Sequence, residues 1–134
     1  MASPPPPPPA ATGLKRLSRH LYTVAWISPL EVEQIAAAEM LDEEHEPLPQ
    51  SSRDHNVYKL GRIHHHNIVI AGLHHPGNAP AATVAVQMRM TFPNLRYALL
   101  VGIGGGVPRR TNSGWIRLGH VVVGKPNGFG SGIV

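Results

Sequence analysis

Cysteine is absent from this 134-residue chain, which excludes disulfide scaffolds, thiol nucleophiles, Cys-ligated zinc and iron–sulfur clusters, and fits a reducing compartment. Long apolar runs are missing as well. No stretch reaches the roughly 18 uninterrupted apolar residues of a membrane-spanning helix, and the N-terminus lacks the apolar core of a secretory signal. A cytoplasmic protein with no membrane partner is therefore expected. Charge is also sparse, at 15% of residues, and although the formal balance is +4 the bases are scattered. Lys15, Arg16 and Arg19 lie beside a proline run, and Arg109 and Arg110 fall in a loop, so no specific nucleic-acid partner is expected.

What is present is apolar residues, at 42%, together with 14 glycines and 14 prolines. The apolar share excludes a fully disordered chain, the length suits one domain, and the Gly and Pro content implies many turns. Pro4 through Pro9 form an unbroken run that favours an extended conformation and supplies no backbone donors. Residues 1–20 are expected to be a disordered Pro-rich leader, acting as a spacer rather than as a ligand for an aromatic groove, and residues 21–134 the folded part.

The folded part opens with a strand, Tyr22-Thr-Val-Ala-Trp-Ile27, and a helix over Glu31 to Leu41, with Ser28 as its N-cap and Glu31 three residues on. Asp42 to about Asn56 reads as a polar surface loop. Val57 to Ile63 and Asn67 to Leu73 predict a hairpin turning through His64 to His66. A second helix is expected from Ala81 to about Thr91, with Ala82, Ala85, Val86 and Met90 on its apolar face. Tyr97 to Ile103 reads as a strand buried on both faces, and His120 to Gly124 as another. This order predicts a layered α/β fold, a mixed β-sheet flanked by helices. The last residues, Gly128 to Val134, follow a strand with no closing helix, as in a domain truncated before its C-terminal half.

Leu99 to Pro108 carries the clearest chemical signal: a strand running into Gly102, Gly104, Gly105 and Gly106. Glycines at a strand's carboxyl end let the chain turn sharply and let a ligand approach main-chain N–H groups, so both a ligand loop and a tight structural turn fit this spacing. It is not a dinucleotide fingerprint, because Val107 occupies the third glycine position, and it is not a P-loop, because no Gly-Lys-Ser/Thr ends it. Nine histidines are present, but His64 to His66 with His74 and His75 have no carboxylate or Cys at ligand spacing. No metal site and no cofactor is expected.

Six blocks then show a likeness: Tyr22 to Ile27, Glu33 with Ala36 to His45, Tyr58 to Ile63, Ala81 to Met88, Val101 to Pro108, and Ile116 to Val123. In order and spacing, over about Leu21 to Lys125, they resemble the N-terminal half of the nucleoside phosphorylase and nucleosidase superfamily, its fungal branch above all. The resemblance implies a phosphorylase-like fold, with residues 21–134 a partial domain. It implies that Glu33 holds and activates the water that attacks the anomeric carbon of a purine nucleoside, and that Gly102, Ile103, Gly104 and Gly105 contact that ligand. Phosphorolytic relatives carry an Arg and a Ser where Leu100 and Ile103 stand, so hydrolysis is expected over phosphorolysis. The family's ribose-binding Met-Glu pair and its general-acid Asp belong to a C-terminal half beyond these residues. A homo-oligomer or that missing segment is the partner this implies, and a catalytically inactive module in ligand sensing or protein interaction is the alternative role.

Overall fold

The computed structural model describes residues 13–73, 75, 77–124 and 128. The chain divides into two units, Met1–Gly102 and Ile103–Val134. The first is α/β. Its five strands, β1 (Val24–Ser28), β2 (Glu43–His45), β3 (Tyr58–Ile63), β4 (His66–Gly72) and β5 (Tyr97–Leu100), form one mixed sheet in the order β2-β3-β4-β1-β5. β1 is parallel to β4 on one side and to β5 on the other, while β2, β3 and β4 make an antiparallel meander.

Side chains alternate across this sheet with the strand period of two, and each face is covered by one helix. On one face Val24, Ile68 and Ile70 pack with Ala37 of α1 (Glu31–Glu39). On the other, Ala25, Ile27, Val69, Ala71 and Leu60 pack with Val84 and Met88 of α2 (Asn78–Thr91), with Tyr22 and with Phe92. The opposite placement follows from the topology. The chain leaves β1 through α1 toward the β4 side, and returns from β4 through α2 to the far side of β1. Crossovers of one hand running in opposite directions must lie on opposite faces.

The α2 face differs from the one expected. Val84, Met88 and Thr91 point inward, whereas Val86 and Met90 are 58% and 49% exposed. Both stripes satisfy a 3.6-residue period in this Ala- and Met-rich helix, and contact with the sheet selects the one carrying Met88. The α1 cap also moves. Ser28 ends β1, buried, and its Oγ accepts from the Trp26 indole N–H at 3.1 Å. Leu30 is the N-cap instead, its N–H donating to Glu33 Oε2 at 2.7 Å, the carboxylate half of a capping box.

The segment 42–56 is more structured than a surface loop. Glu43–His45 adds β2 to the sheet, held by Glu44 with Lys59 at 3.2 Å and by Glu43 with Lys15 and Arg62 at 3.4 and 3.6 Å. Beneath it His45 is buried between the Tyr22 hydroxyl and the Glu43 carboxylate, 2.9 Å from each. The buried Asp54 carboxylate accepts from the hydroxyls of Tyr58 and Thr91 and from the Asn56 N–H, which ties the loop to β3 and α2. Part of the expected leader lies outside the described residues, which begin at 13. Beyond that point, Lys15 bridges His45 and Arg19 donates to the Pro49 carbonyl.

The hairpin forms as expected, with Ile63 paired to His66 across His64 and His65. β5 departs from expectation. It stops at Leu100, pairs with β1 alone among the described residues, and is exposed along its length. β1, paired on both sides, holds the buried place expected of the apolar run from Tyr97. In the second unit β6 (Arg109–Thr111) and β7 (Gly114–Ile116) form an antiparallel hairpin, so Arg109 and Arg110 stand in a strand and not in the expected loop. His120 to Gly124 forms no strand there: Val121, Val122 and Val123 are exposed, and the backbone bond at its start is local, His120 N–H to the Arg117 carbonyl. Apolar β-formers need a neighbouring strand to pair with, and none is found for them among the described residues.

Two outcomes follow from this packing. Met88→Ala should destabilise the first unit by about 2–4 kcal/mol, and Met90→Ala by no more than about 0.5 kcal/mol, read as shifts in urea midpoint. Equal shifts would mean that the other stripe faces the core. Burial, aided by the Glu43 charge, raises the Tyr22 hydroxyl from 10.0 to about 12. The unfolded chain loses this proton first, so stability should fall as pH rises from about 10 to 12. Tyr22→Phe should flatten that fall in urea titrations across the interval, and an unchanged slope would contradict the assignment.

Candidate functional site

In an open sheet with parallel strands, a crevice forms where the connections of neighbouring strands depart to opposite faces, outside the carboxyl ends of those strands. Here the strands are β1 and β4, and the residues at their ends are Ser28 and Gly72, paired in register. Parallel bonding runs slightly past the strands: Leu73 N–H donates to the Ser28 carbonyl at 3.3 Å, and Val101 N–H to the Ile27 carbonyl at 2.9 Å. Three chain segments thus leave this end together, Ser28 into α1, Gly72 toward α2, and Val101 into Gly102.

The first turn of α1 supplies the functional groups. Pro29 cannot donate to a ladder, so the chain breaks from β1 and Leu30 begins the helix in an extended conformation. Glu33 is then placed one turn in, 9% exposed, with Oε2 held by the Leu30 N–H. That bond fixes the carboxylate at the first turn of the helix. Its other oxygen lies against Gly102. A Cβ built on Gly102 would stand 2.8 Å from Glu33 Oε1, closer than real Cβ atoms come, and a tight 3.2 Å from Oε2. Glycine at this position lets the Glu33 carboxylate lie against the main chain, and a side chain there would push it aside.

The structure brings Glu33 and Gly102 together, two residues expected to share a site. Ile103, Gly104 and Gly105 belong to the second unit, where they are exposed, and added Cβ atoms at Gly104 and Gly105 would meet nothing within 4 Å. The loop after β4, which follows this same sheet end, lies partly outside the described residues at His74 and Pro76. The histidines of the hairpin turn are exposed, with the His64 and His65 rings stacked at 5.5 Å. Among the described residues no group of three His, Asp or Glu side chains is placed to hold a metal ion.

One residue of this end escaped the sequence reading. Gln34, half-buried beside Glu33, lays its carboxamide over Gly72, where a Cβ would stand 2.0 Å from Nε2. The signal available was Gly72 itself, a glycine closing the apolar run Ile68-Val-Ile-Ala.

The chain is 44% identical over 114 residues to a "Nucleotide-binding leucine-rich repeat (NLR)-like protein" of Hyaloscypha variabilis, a match that covers 84% of this chain and 11% of that protein. The chain thus spans about a tenth of the length of that relative. No protein-family model matches the chain. No solved structure matches it.

Gly102→Ala tests the contact directly. The Glu33 side chain is flexible enough to give way, so the cost should be under about 1 kcal/mol. Its carboxylate should nevertheless move, and the Leu30 amide resonance should shift. A Leu30 amide unmoved in the variant would show that Gly102 and Glu33 do not touch.

Proposed function

We propose that this chain supplies the water-activating part of a purine nucleosidase site, which cleaves the N-glycosidic bond by hydrolysis. The observation that supports it best is the Glu33 carboxylate, held by the Leu30 N–H at the carboxyl end of the parallel strands and set against the side-chain-free Gly102. A carboxylate so oriented can take a proton from water as it attacks the anomeric carbon, and its charge stabilises the oxocarbenium ion that develops as the purine departs. Gly102 leaves main chain, not side chain, beside the reacting atoms. Leu100 and Ile103, in place of an Arg and a Ser, offer no bidentate donor or hydroxyl for a phosphate dianion, so water is the nucleophile. The likeness of the six sequence blocks to nucleosidases points the same way.

A second reading is a ligand-sensing module without turnover. It is favoured by the match to a short stretch of a far longer protein that is named NLR-like. One assay separates the two: adenine release from adenosine by the complete gene product, as wild type and as Glu33→Gln, with and without phosphate. Hydrolysis predicts turnover that phosphate does not change and that Glu33→Gln lowers by about 10²- to 10⁴-fold. Adenosine binding without turnover would support the sensing module. A Glu33→Gln rate within about threefold of wild type, or a rate that requires phosphate, would overturn the hydrolytic role of Glu33.

A further inference from the structure

Glu33 serves the side of the crevice nearest β5, since its carboxylate meets Gly102 beyond the end of that strand. The side nearest β4 is covered by Gln34. Its position is imposed by three independent features. The residue after Glu33 on a helix is turned about 100° around the axis, which carries it off the Gly102 side. Gly72 has no side chain to exclude it, and the carboxamide occupies the space that any Cβ there would take. Ser28, directly across from Gly72 in the parallel register, keeps its own hydroxyl engaged with the Trp26 indole and so does not compete for the same ground.

The chemistry of the group follows from its partners. A carboxamide offers two donors and an acceptor, and such groups are paired when buried. Among the described residues no hydrogen bond engages the Gln34 carboxamide, although Glu33, its neighbour, is held. It is half-buried, flanked by the switch point of the sheet, and uncharged. A group of this kind recognises a partner that both donates and accepts, which describes a hydroxyl better than a phosphate or a hydrocarbon. Neighbouring strands lie about 4.8 Å apart, so the β4 and β5 ends are about 10 Å apart across β1. The two side chains diverge from neighbouring positions on the first turn of α1, Glu33 toward Gly102 and Gln34 toward Gly72, and so face different parts of one small molecule.

We propose that Gln34 is a specificity-determining residue of the Glu33 site, hydrogen-bonding through its carboxamide to one hydroxyl of the ligand's sugar ring while Glu33 attends the anomeric carbon. This rests on the nucleosidase reading, and its test separates the two. Binding of adenosine and of 2′-, 3′- and 5′-deoxyadenosine to the complete gene product is measured by titration calorimetry, for wild type and Gln34→Leu. Adenosine should bind about tenfold more weakly to Gln34→Leu, as expected for one lost hydrogen bond. One deoxy analogue should bind both proteins equally, because it already lacks the hydroxyl in question. Gln34→Met, of similar length but without the carboxamide, gives the same comparison should Gln34→Leu not fold. Equal weakening of all four ligands would assign Gln34 a structural role only and overturn the proposal, as would no change in any. If wild type binds none of the four, the nucleoside reading itself fails, and the role of Gln34 with it.

Discussion

The parallel pairing of β1 between β4 and β5 is the constraint from which the first unit is built. Val24 to Ser28 is aligned residue by residue with Ile68 to Gly72, and Val24 to Ile27 with Tyr97 to Leu100. Parallel neighbours need crossovers, and two crossovers running in opposite directions place α1 and α2 on opposite faces. The same pairing decides where the chemistry sits. Once β1 and β4 point the same way and their helices depart to opposite sides, their carboxyl ends form a crevice, and the first turn of α1 can only hang over it. Glu33 and Gln34 inherit their places from the register of β1.

Irregular segments need other ties, and these are polar. The 42–56 segment brings few apolar residues, so it is fastened through side chains whose desolvation is offset by hydrogen bonds. Asp54 gathers the hydroxyls of Tyr58 and Thr91, and Asn56 donates to Tyr58 and to the Val84 carbonyl. Burial, with the Asp54 charge beside it, holds the Tyr58 hydroxyl protonated well above the ordinary tyrosine range. On the other side His45 links Tyr22 to Glu43, and the His45 hydrogen bond with the charges of Lys15 and Arg62 keeps Glu43 ionised below the usual carboxylate range. Among the described residues every buried side-chain nitrogen and oxygen has a partner. Partial satisfaction of such networks would cost more than an apolar contact.

β5 has the opposite character. Tyr97 and Leu99 lie on the α1 face of the sheet and Ala98 and Leu100 on the α2 face, as their pairing with Val24 to Ile27 requires, and all four are exposed. Neither helix reaches far enough sideways to cover them. A strand of apolar residues on both faces is written for a covered position, yet among the described residues β1 is its sole neighbour.

How much of this was legible in the residues varies with how local the cause is. The α/β class, the hairpin, both helices and the glycine cluster follow from period, turn chemistry and composition, which act over a few neighbours and are therefore written in the sequence. Glu33 stood out only through likeness to nucleosidases, because one glutamate on a helix looks like any solvated one. Its carboxylate is held by the Leu30 N–H three residues away, and its contact with Gly102 spans 69 positions of chain, which no window of sequence contains. The α2 stripe, the strand status of Glu43–His45 and the exposure of β5 were likewise decided by which neighbour each segment found. Propensity and period are properties of a segment, whereas burial and pairing are properties of a meeting between segments. The sequence by itself determined the elements, and only the tertiary structure decided that Glu33, Gln34, Gly72 and Gly102 stand at one end of one sheet.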